Sequence, residues 1–208
     1  LAHGGGYWLG LGFARDFGGN DKRLGATRTA HNGGPRTEQR FQRFGCGFGC
    51  HYALGFCFDD RGDDTYNGTI MGTGFAWDVA FGMLADFEGN DQYLATGGGT
   101  QGNGAQAGLG ILFDYAGNDV YRGGGQGRAS SSISYHDLPY CGGNFSFVID
   151  YGGTDRYGCG ARNNSYIMRG SSGGFLIDRP KDSETEETTE EKPSIRQGTA
   201  RTAAKRRS

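Results

Sequence analysis

Large and small residues alternate along six short stretches of the chain, and each stretch ends at an aspartate. In the stretch "GLGILFD", Leu109 and Ile111 alternate with Gly108 and Gly110, and the stretch ends at Asp114. An alternation with a period of two residues is typical of a β-strand, whereas the hydrophobic positions of a helix recur every 3.6 residues. The pattern therefore predicts an all-β protein with one such strand in each of six copies.

Each of these aspartates opens a corner of the form Asp-x-x-Gly-Asn-Asp. Five copies read "DFGGND", "DDRGDD", "DFEGND", "DYAGND" and "DYGGTD", and a sixth reads "DRPKDS"; they begin at Asp16, Asp59, Asp86, Asp114, Asp150 and Asp178. The intervals are 43, 27, 28, 36 and 28 residues, so a unit of 27 or 28 residues contains two insertions. Seven residues after the first Asp stand Arg23, Tyr66, Tyr93, Tyr121 and Tyr157. Agreement at several positions identifies a structural repeat.

A single strand of this kind cannot bury a face by itself, but identical strands stacked in register can. We therefore predict a parallel β-solenoid (β-helix) of six coils over residues 1–178, with successive coils about 4.8 Å apart. Leu, Phe, Met and Ile are expected to line its interior, and the small residues to let another segment approach closely. A closed sandwich or a propeller is the main alternative, although a propeller blade usually needs about 40 to 50 residues.

Composition narrows the class of protein. The 208 residues include 42 glycines but only four prolines, and glycine does not recur at every third position, which excludes collagen. Fourteen Phe and eleven Tyr give the chain apolar surface to bury. The net charge of −2 predicts no general affinity for nucleic acid, and no apolar run reaches the roughly 20 residues of a membrane helix. Five cysteines without CxxC spacing indicate neither zinc nor redox chemistry.

Residues 179–208 differ from the repeats. An acidic block, "DSETEETTEEK", precedes a basic one, "RQGTARTAAKRRS", and apolar residues are almost absent. Such a composition predicts a disordered, solvated tail.

The corners themselves suggest two explanations. The first Asp can accept backbone N–H groups in an Asx-type turn, and Gly117 and its equivalents permit positive φ, so the corner can be purely structural. Stacking, however, would place like-charged carboxylates about 5 Å apart in two rows, and a shared cation would offset their repulsion. Ca²⁺ prefers six to eight oxygen ligands. The candidate calcium ligands are Asp59, Asp64, Asp86, Asn90, Asp91, Asp114, Asn118, Asp119, Asp150 and Asp155.

Two resemblances rest on these residues. The order "QGxG" followed by "GxGxLxDxxGNDxY" resembles uncharacterised bacterial Gly/Asp-rich repeat proteins over most of residues 1–178, and implies no established activity. The fragments "GGND" and "GGTD" resemble RTX-type calcium-binding β-roll repeats. Those repeats recur every nine residues, so this chain has one half-site per coil and their calcium geometry does not transfer intact.

Function is expected to be structural or interaction-based rather than enzymatic. Carboxylates that recur in every copy favour structure or metal binding, whereas a catalytic pair should be singular. The alternative is a carbohydrate-active β-helix protein that binds or cleaves polysaccharide. The four histidines lack metal-ligand spacing and are expected at the surface or in packing.

The two insertions are expected to emerge at one corner of the fold. Arg28, Arg36, Arg40 and Arg43 lie in the first insertion and Arg122 and Arg128 near the second, which suggests a basic patch for an anionic glycan or a surface protein. Ordinary solvated loops are the alternative. An extracellular or cell-surface location is favoured.

Overall fold

The computed structural model describes residues 3–24, 45–68, 71–95, 99–123, 125–129, 144–170 and 173–181. Over these residues the protein is all-β, without a helix, and its strands form three sheets. No helix in these ranges is long and apolar enough to cross a membrane. The four arginines of the first insertion, and residues 182–208 of the expected tail, lie outside the described residues.

Each repeat contributes its strands to the sheets in the same order. The first sheet contains β1 (Gly6–Tyr7), β4 (Gly49–Cys50), β7 (Ala76–Trp77) and β10 (Gly104–Ala105). The second sheet contains β2 (Leu11–Asp16), β5 (Leu54–Asp59), β8 (Phe81–Asp86), β11 (Leu109–Asp114), β13 (Phe145–Tyr151) and β16 (Gly174–Arg179), with β15 (Tyr166–Met168) at its edge. The third sheet contains β3 (Lys22–Leu24), β6 (Thr65–Gly68), β9 (Gln92–Ala95), β12 (Val120–Arg122) and β14 (Arg156–Tyr157).

Neighbouring repeats pair in parallel and in the register that the sequence alignment predicts. In the second sheet Asp114 lies opposite Asp86 on one side and Asp150 on the other, and Gly110 lies between Gly82 and Ser146. In the third sheet Tyr121 lies between Tyr93 and Tyr157. The one antiparallel pair among the described strands joins β15 to β16 at the edge of the second sheet.

The prediction that the large alternating residues line the interior is wrong. In β11, Gly110, Leu112 and Asp114 are buried, whereas Leu109 and Ile111 face outward and are partly exposed. The interior therefore contains the small residues, one aliphatic row and the aspartates. The aliphatic row is Leu84, Leu112, Val148 and Leu176, which packs with the tyrosines.

The physical reason for this inversion is the close approach of the first sheet to the second. A Cβ on Gly82 would lie 2.0 Å from the carbonyl oxygen of Phe75, and one on Gly55 would lie 1.9 Å from that of Phe48. Only glycine fits such a gap, so the glycine side of the strand must face inward. The expectation that small residues admit another segment is thus confirmed.

The outward side chains of the second sheet form a continuous apolar surface, which we call the outer face. It consists of the residues five, three and one positions before the first Asp of each repeat: Leu11, Phe13, Arg15, Leu54, Phe56, Phe58, Phe81, Met83, Ala85, Leu109, Ile111, Phe113, Phe145, Phe147, Ile149, Gly173, Phe175 and Ile177. Ala85 is covered by its neighbours and is completely buried. Leu54 and Phe145 are each 47 % exposed.

Candidate cation site at the stacked aspartates

The corners of successive repeats lie directly above one another, because the second sheet pairs the first Asp of each repeat with that of the next. The first aspartates form one row, which we call the first Asp row: Asp16, Asp59, Asp86, Asp114, Asp150 and Asp178. Asp59, Asp86, Asp114 and Asp150 are completely buried. The chain has therefore placed a line of carboxyl groups in its core.

The tyrosines that follow each corner stack beside this row. The ring centroids of Tyr66, Tyr93, Tyr121 and Tyr157 are separated in turn by 5.2, 4.7 and 4.8 Å, with interplanar angles of 7° to 18°. Three of the hydroxyls donate to the first Asp of the next repeat, from Tyr66 to Asp86 at 2.6 Å, Tyr93 to Asp114 at 2.6 Å and Tyr121 to Asp150 at 2.7 Å. Each such hydroxyl satisfies Oδ2 of its partner, so the tyrosine row links consecutive repeats.

Arg23 takes the place of tyrosine in the first repeat. Its guanidinium lies 5.4 Å from the ring centroid of Tyr66, and its Nη2 lies 2.7 Å from Asp59 and 2.9 Å from Asp16. Burial disfavours the charged guanidinium, but its acidic surroundings hold the pKa of Arg23 above its ordinary value. Arg23 thus neutralises the carboxylates at one end of the row.

In the part of the chain that the structure describes, no cation takes the place of Arg23 beside the inner aspartates of the later repeats. Among the described residues, no Lys, Arg or His forms an ion pair with Asp86, Asp91, Asp114, Asp119 or Asp150. These carboxyl groups must be neutralised by protons or by bound cations, because isolated buried charges are too costly.

The second aspartates of the corners form a second Asp row: Asp21, Asp64, Asp91, Asp119 and Asp155. From Asp64 onward, Oδ1 of each side chain in this row accepts the backbone N–H of the equivalent residue in the preceding repeat. The N–H of Asp64 donates to Asp91 at 2.6 Å, and that of Asp91 donates to Asp119 at 2.6 Å. One oxygen of each carboxyl is thus used to join repeats.

The residues immediately before the second Asp row bond in the opposite direction. Oδ1 of Asn90 accepts the backbone N–H of Asn118, and Oδ1 of Asn118 accepts that of Thr154, at 3.0 and 2.9 Å. Both asparagines are exposed. Asn90 and Asn118, predicted above as metal ligands, therefore accept hydrogen bonds on the solvent side of the corner.

An asparagine ends the second Asp row. The N–H of Asp155 donates to Oδ1 of Asn163 at 2.6 Å, and Nδ2 of Asn163 donates to the carbonyl of Gly153 at 3.1 Å. Beyond the last corner, an amide performs the same acceptor role that a carboxyl performs inside the row. Accepting the N–H therefore does not by itself require an aspartate.

The second oxygen of several inner carboxyl groups has no hydrogen-bond partner among the described residues. Oδ2 of Asp91, Oδ2 of Asp119 and Oδ1 of Asp150 are buried and have no hydrogen-bond partner among the described residues. Carboxylate oxygens of Asp91, Asp114 and Asp119 all lie within 4.8 Å of one another, and so do those of Asp119, Asp150 and Asp155. Similar groups join Asp59, Asp64 and Asp86, and Asp16, Asp21 and Asp59, beside Arg23. Such clusters of oxygen atoms have the donor chemistry that hard cations prefer.

Burial and mutual repulsion change the acidity of these groups. Burial, together with the repulsion of neighbouring carboxylates, raises the pKa of Asp86 to about 7 and those of Asp91 and Asp119 to about 9. For the same reasons the pKa values of Asp114 and Asp150 lie well above the usual range. In contrast, the partly exposed Asp16 has a lowered pKa, chiefly because its carboxylate accepts the backbone N–H of Gly18.

The predicted Asx-type turn is present at two corners, where the first Asp accepts the backbone N–H two residues further on. Oδ1 of Asp114 accepts the N–H of Ala116 at 3.1 Å, and Oδ1 of Asp16 accepts that of Gly18 at 3.2 Å, as expected for Asx-type turns. Gly19, Gly62 and Gly153 have positive φ, as predicted, but Gly117 and Gly89 do not, so the prediction of positive φ is wrong for these two corners. Of the arginines expected in a basic patch, Arg122 and Arg128 are described, and both are exposed.

Sequence reasoning missed a second stacked corner, between the first and second sheets. Here two consecutive non-glycine residues adopt positive φ in four repeats: Trp8 and Leu9, His51 and Tyr52, Asp78 and Val79, and Gln106 and Ala107. Nδ1 of His51 lies 2.8 Å from Oδ2 of the buried Asp78 in the next repeat. These pairs have no glycine or asparagine to indicate a left-handed turn, so composition did not reveal them.

Comparisons of the chain with models of protein families, with curated proteins and with solved structures gave no match. The class of protein is therefore defined by its own geometry, as an all-β chain of in-register parallel repeats with buried rows of carboxyl groups.

Proposed function

We propose that the protein is a non-enzymatic structural or interaction repeat protein, built as a parallel β-solenoid and stabilised by Ca²⁺ bound at its Asp rows. Three sheets, in which strands of successive repeats pair in parallel and in the same order, support the solenoid. The buried and unpartnered oxygens of Asp91, Asp119 and Asp150 are the observation on which calcium binding rests. The carbohydrate-active alternative and an extracellular location stay predictions.

Two groups of carboxyls are the best candidate sites, since they lie beyond the reach of Arg23. One contains Asp91, Asp114 and Asp119, and the other contains Asp119, Asp150 and Asp155. Each group supplies three carboxylates to a cation, and further oxygen ligands would come from water or backbone carbonyls. Asp119 belongs to both groups, so one substitution tests both.

Thermal melting in calcium and in a chelator tests the proposal. A ligand that binds only the folded state stabilises it by about 2.7 kcal/mol at 100 times its Kd, which corresponds to a rise of about 5 to 11 °C for a chain of this size. Isothermal titration calorimetry should show calcium binding under the same conditions. An unchanged melting temperature without measurable binding heat would refute the calcium proposal.

The variant Asp119→Asn tests the negative charge alone, because Asn retains the oxygen that accepts the N–H of Asp91. We expect this variant to fold and to lose most of the calcium-dependent rise in melting temperature. Asp63→Asn is the matched control, since Asp63 lies in the exposed row that has asparagine at Asn20, Asn90 and Asn118. The control should keep the full calcium response. Equal responses in the two variants would place any bound calcium elsewhere.

A further inference from the structure

The outer face has the composition of an interface rather than of a solvent-exposed surface. Arg15, at the edge of the sheet, is its one charged residue, and every other position is apolar. Leu11 and Phe13 are 71 % and 63 % exposed. Monomeric proteins rarely expose contiguous apolar patches larger than a few hundred Å².

The size of the face suits a standard protein–protein contact. Six parallel strands of at least six residues form it. At about 4.8 Å between strands and 3.3 Å per residue, it covers about 600 Å². Two such faces in contact would bury about 1,200 Å² in total, which is the lower end of the range for stable interfaces.

The shape of the face favours another flat sheet as its partner. The strands are in register over six repeats, so the side chains form straight rows with grooves between them. Two sheets of this kind pack face to face about 10 Å apart with their side chains interdigitated. A second copy of the chain supplies an identical set of rows, and the net charge of −2 opposes such pairing only weakly.

The aromatic rings are poorly arranged for stacking on sugar rings. A pyranose packs against the face of an aromatic ring, but here the rings cover one another along the sheet. The rings of Phe147 and Phe175 are stacked at 5.2 Å with an interplanar angle of 16°, and those of Phe56 and Phe81 lie 5.2 Å apart with an angle of 38°. Rings that pack on one another in this way suit an apolar protein surface better than a polysaccharide.

We propose that the outer face binds the outer face of a second copy, so that the protein forms a dimer of two packed second sheets. The inference uses only the outward side chains, and it is independent of calcium binding inside the repeats. A two-fold dimer of this kind would be isologous, with the same patch on both copies.

Sedimentation equilibrium of the full chain tests the dimer. We expect the dimer fraction to rise between about 1 and 100 μM, because an interface near 1,200 Å² is of marginal size. The variants Leu54→Glu and Phe145→Glu each place a charge in the contact and should weaken association at least tenfold. Leu24→Glu is the control, since Leu24 is 37 % exposed but lies in the third sheet; it should associate as the wild type does.

The possible results distinguish a second copy of the chain from a glycan as the partner of the outer face. A wild-type chain that stays monomeric throughout this range, with calcium or with a chelator, overturns the proposal. So does a monomer that instead sediments with insoluble cellulose or chitin and loses this ability in Leu54→Glu, because the face would then bind glycan. Circular dichroism verifies that each variant is folded. If neither glutamate variant folds, amide hydrogen exchange of the wild type decides, since a dimer should protect the second sheet more at high concentration than at low.

Discussion

The substitution Tyr93→Phe removes a hydrogen bond between consecutive repeats and changes the packing little. The hydroxyl of Tyr93 donates to Oδ2 of Asp114 at 2.6 Å, and both residues are completely buried. In Tyr93→Phe the ring still stacks between Tyr66 and Tyr121, but a buried carboxyl loses its donor. Leaving a buried acceptor unsatisfied costs about 1 to 3 kcal/mol, and at 2 to 4 °C per kcal/mol the melting temperature should fall by about 2 to 12 °C.

Differential scanning calorimetry measures this fall, and Tyr115→Phe is its control. Tyr115 is 47 % exposed on the outside of the protein, so the loss of its hydroxyl should change the free energy of unfolding by less than about 0.5 kcal/mol. The double variant Tyr93→Phe/Asp114→Asn should be less destabilised than the sum of its single variants, because the two groups interact. If Tyr93→Phe has the same melting temperature as Tyr115→Phe and the wild type, the hydroxyl does not stabilise the row, and the role given to the tyrosines is wrong.

Two further predictions concern pH and the glycines. In a chelator, the melting temperature should fall as the pH rises from 5 to 9. Folding raises the pKa of Asp86 to about 7 and those of Asp91 and Asp119 to about 9. The contribution of these protonated carboxyls to stability is therefore complete below the unfolded pKa of about 4, and it is lost as the pH rises through the folded pKa values. Calcium should reduce this fall, because it replaces protons, and a melting temperature that is flat or rising in the chelator contradicts the prediction. Gly102→Ala should cost at least about 2 kcal/mol in a denaturant titration, since Gly102 has φ +69° and its Cβ would lie 1.9 Å from the carbonyl oxygen of Phe147. Gly160→Ala, with φ +82° and nothing within 4 Å, measures the backbone strain alone and should cost less.

The alignment of repeats could be predicted from sequence because identical positions must stack if the repeats stack. Aligning on Asp114 places Asp86 and Asp150 on either side of it, and the same register predicts the row that contains Tyr121. Such a prediction requires no knowledge of side-chain contacts. It follows from the spacing of a few residue types.

The direction of each face could not be predicted in the same way. A period of two residues separates Leu109 and Ile111 from Gly110 and Leu112, but it does not show which pair is buried. The segments of the first sheet decide this, because they lie so close to the second sheet that a Cβ does not fit at Gly55 or Gly82. Strands as short as Gly104–Ala105 leave no alternation to detect.

Arg23 illustrates a site residue whose role depends on its place in the row. The sequence shows only that it occupies a tyrosine position. In the structure it lies over the ring of Tyr66 and pairs with Asp59, so the first repeat carries its own positive charge. The later repeats have a tyrosine there instead, which supplies a donor but no charge.

Asn163, at the end of the second Asp row, shows which function of the inner aspartates an amide can perform. Asn163 accepts an N–H at 2.6 Å, as Asp91 and Asp119 do, and the exposed row before it uses Asn90 and Asn118 for the same purpose. Hydrogen bonding between repeats therefore explains one oxygen of each inner carboxyl and would be equally well served by an amide. The second oxygen requires another reason, and a carboxyl differs from an amide there in two ways: it can bind a cation, or it can hold a proton at neutral pH. The first possibility stabilises the protein only when calcium is present, and the second only while the pH stays below the folded pKa of Asp119, about 9. Melting Asp119→Asn and the wild type with and without calcium, on both sides of that pH, therefore distinguishes them.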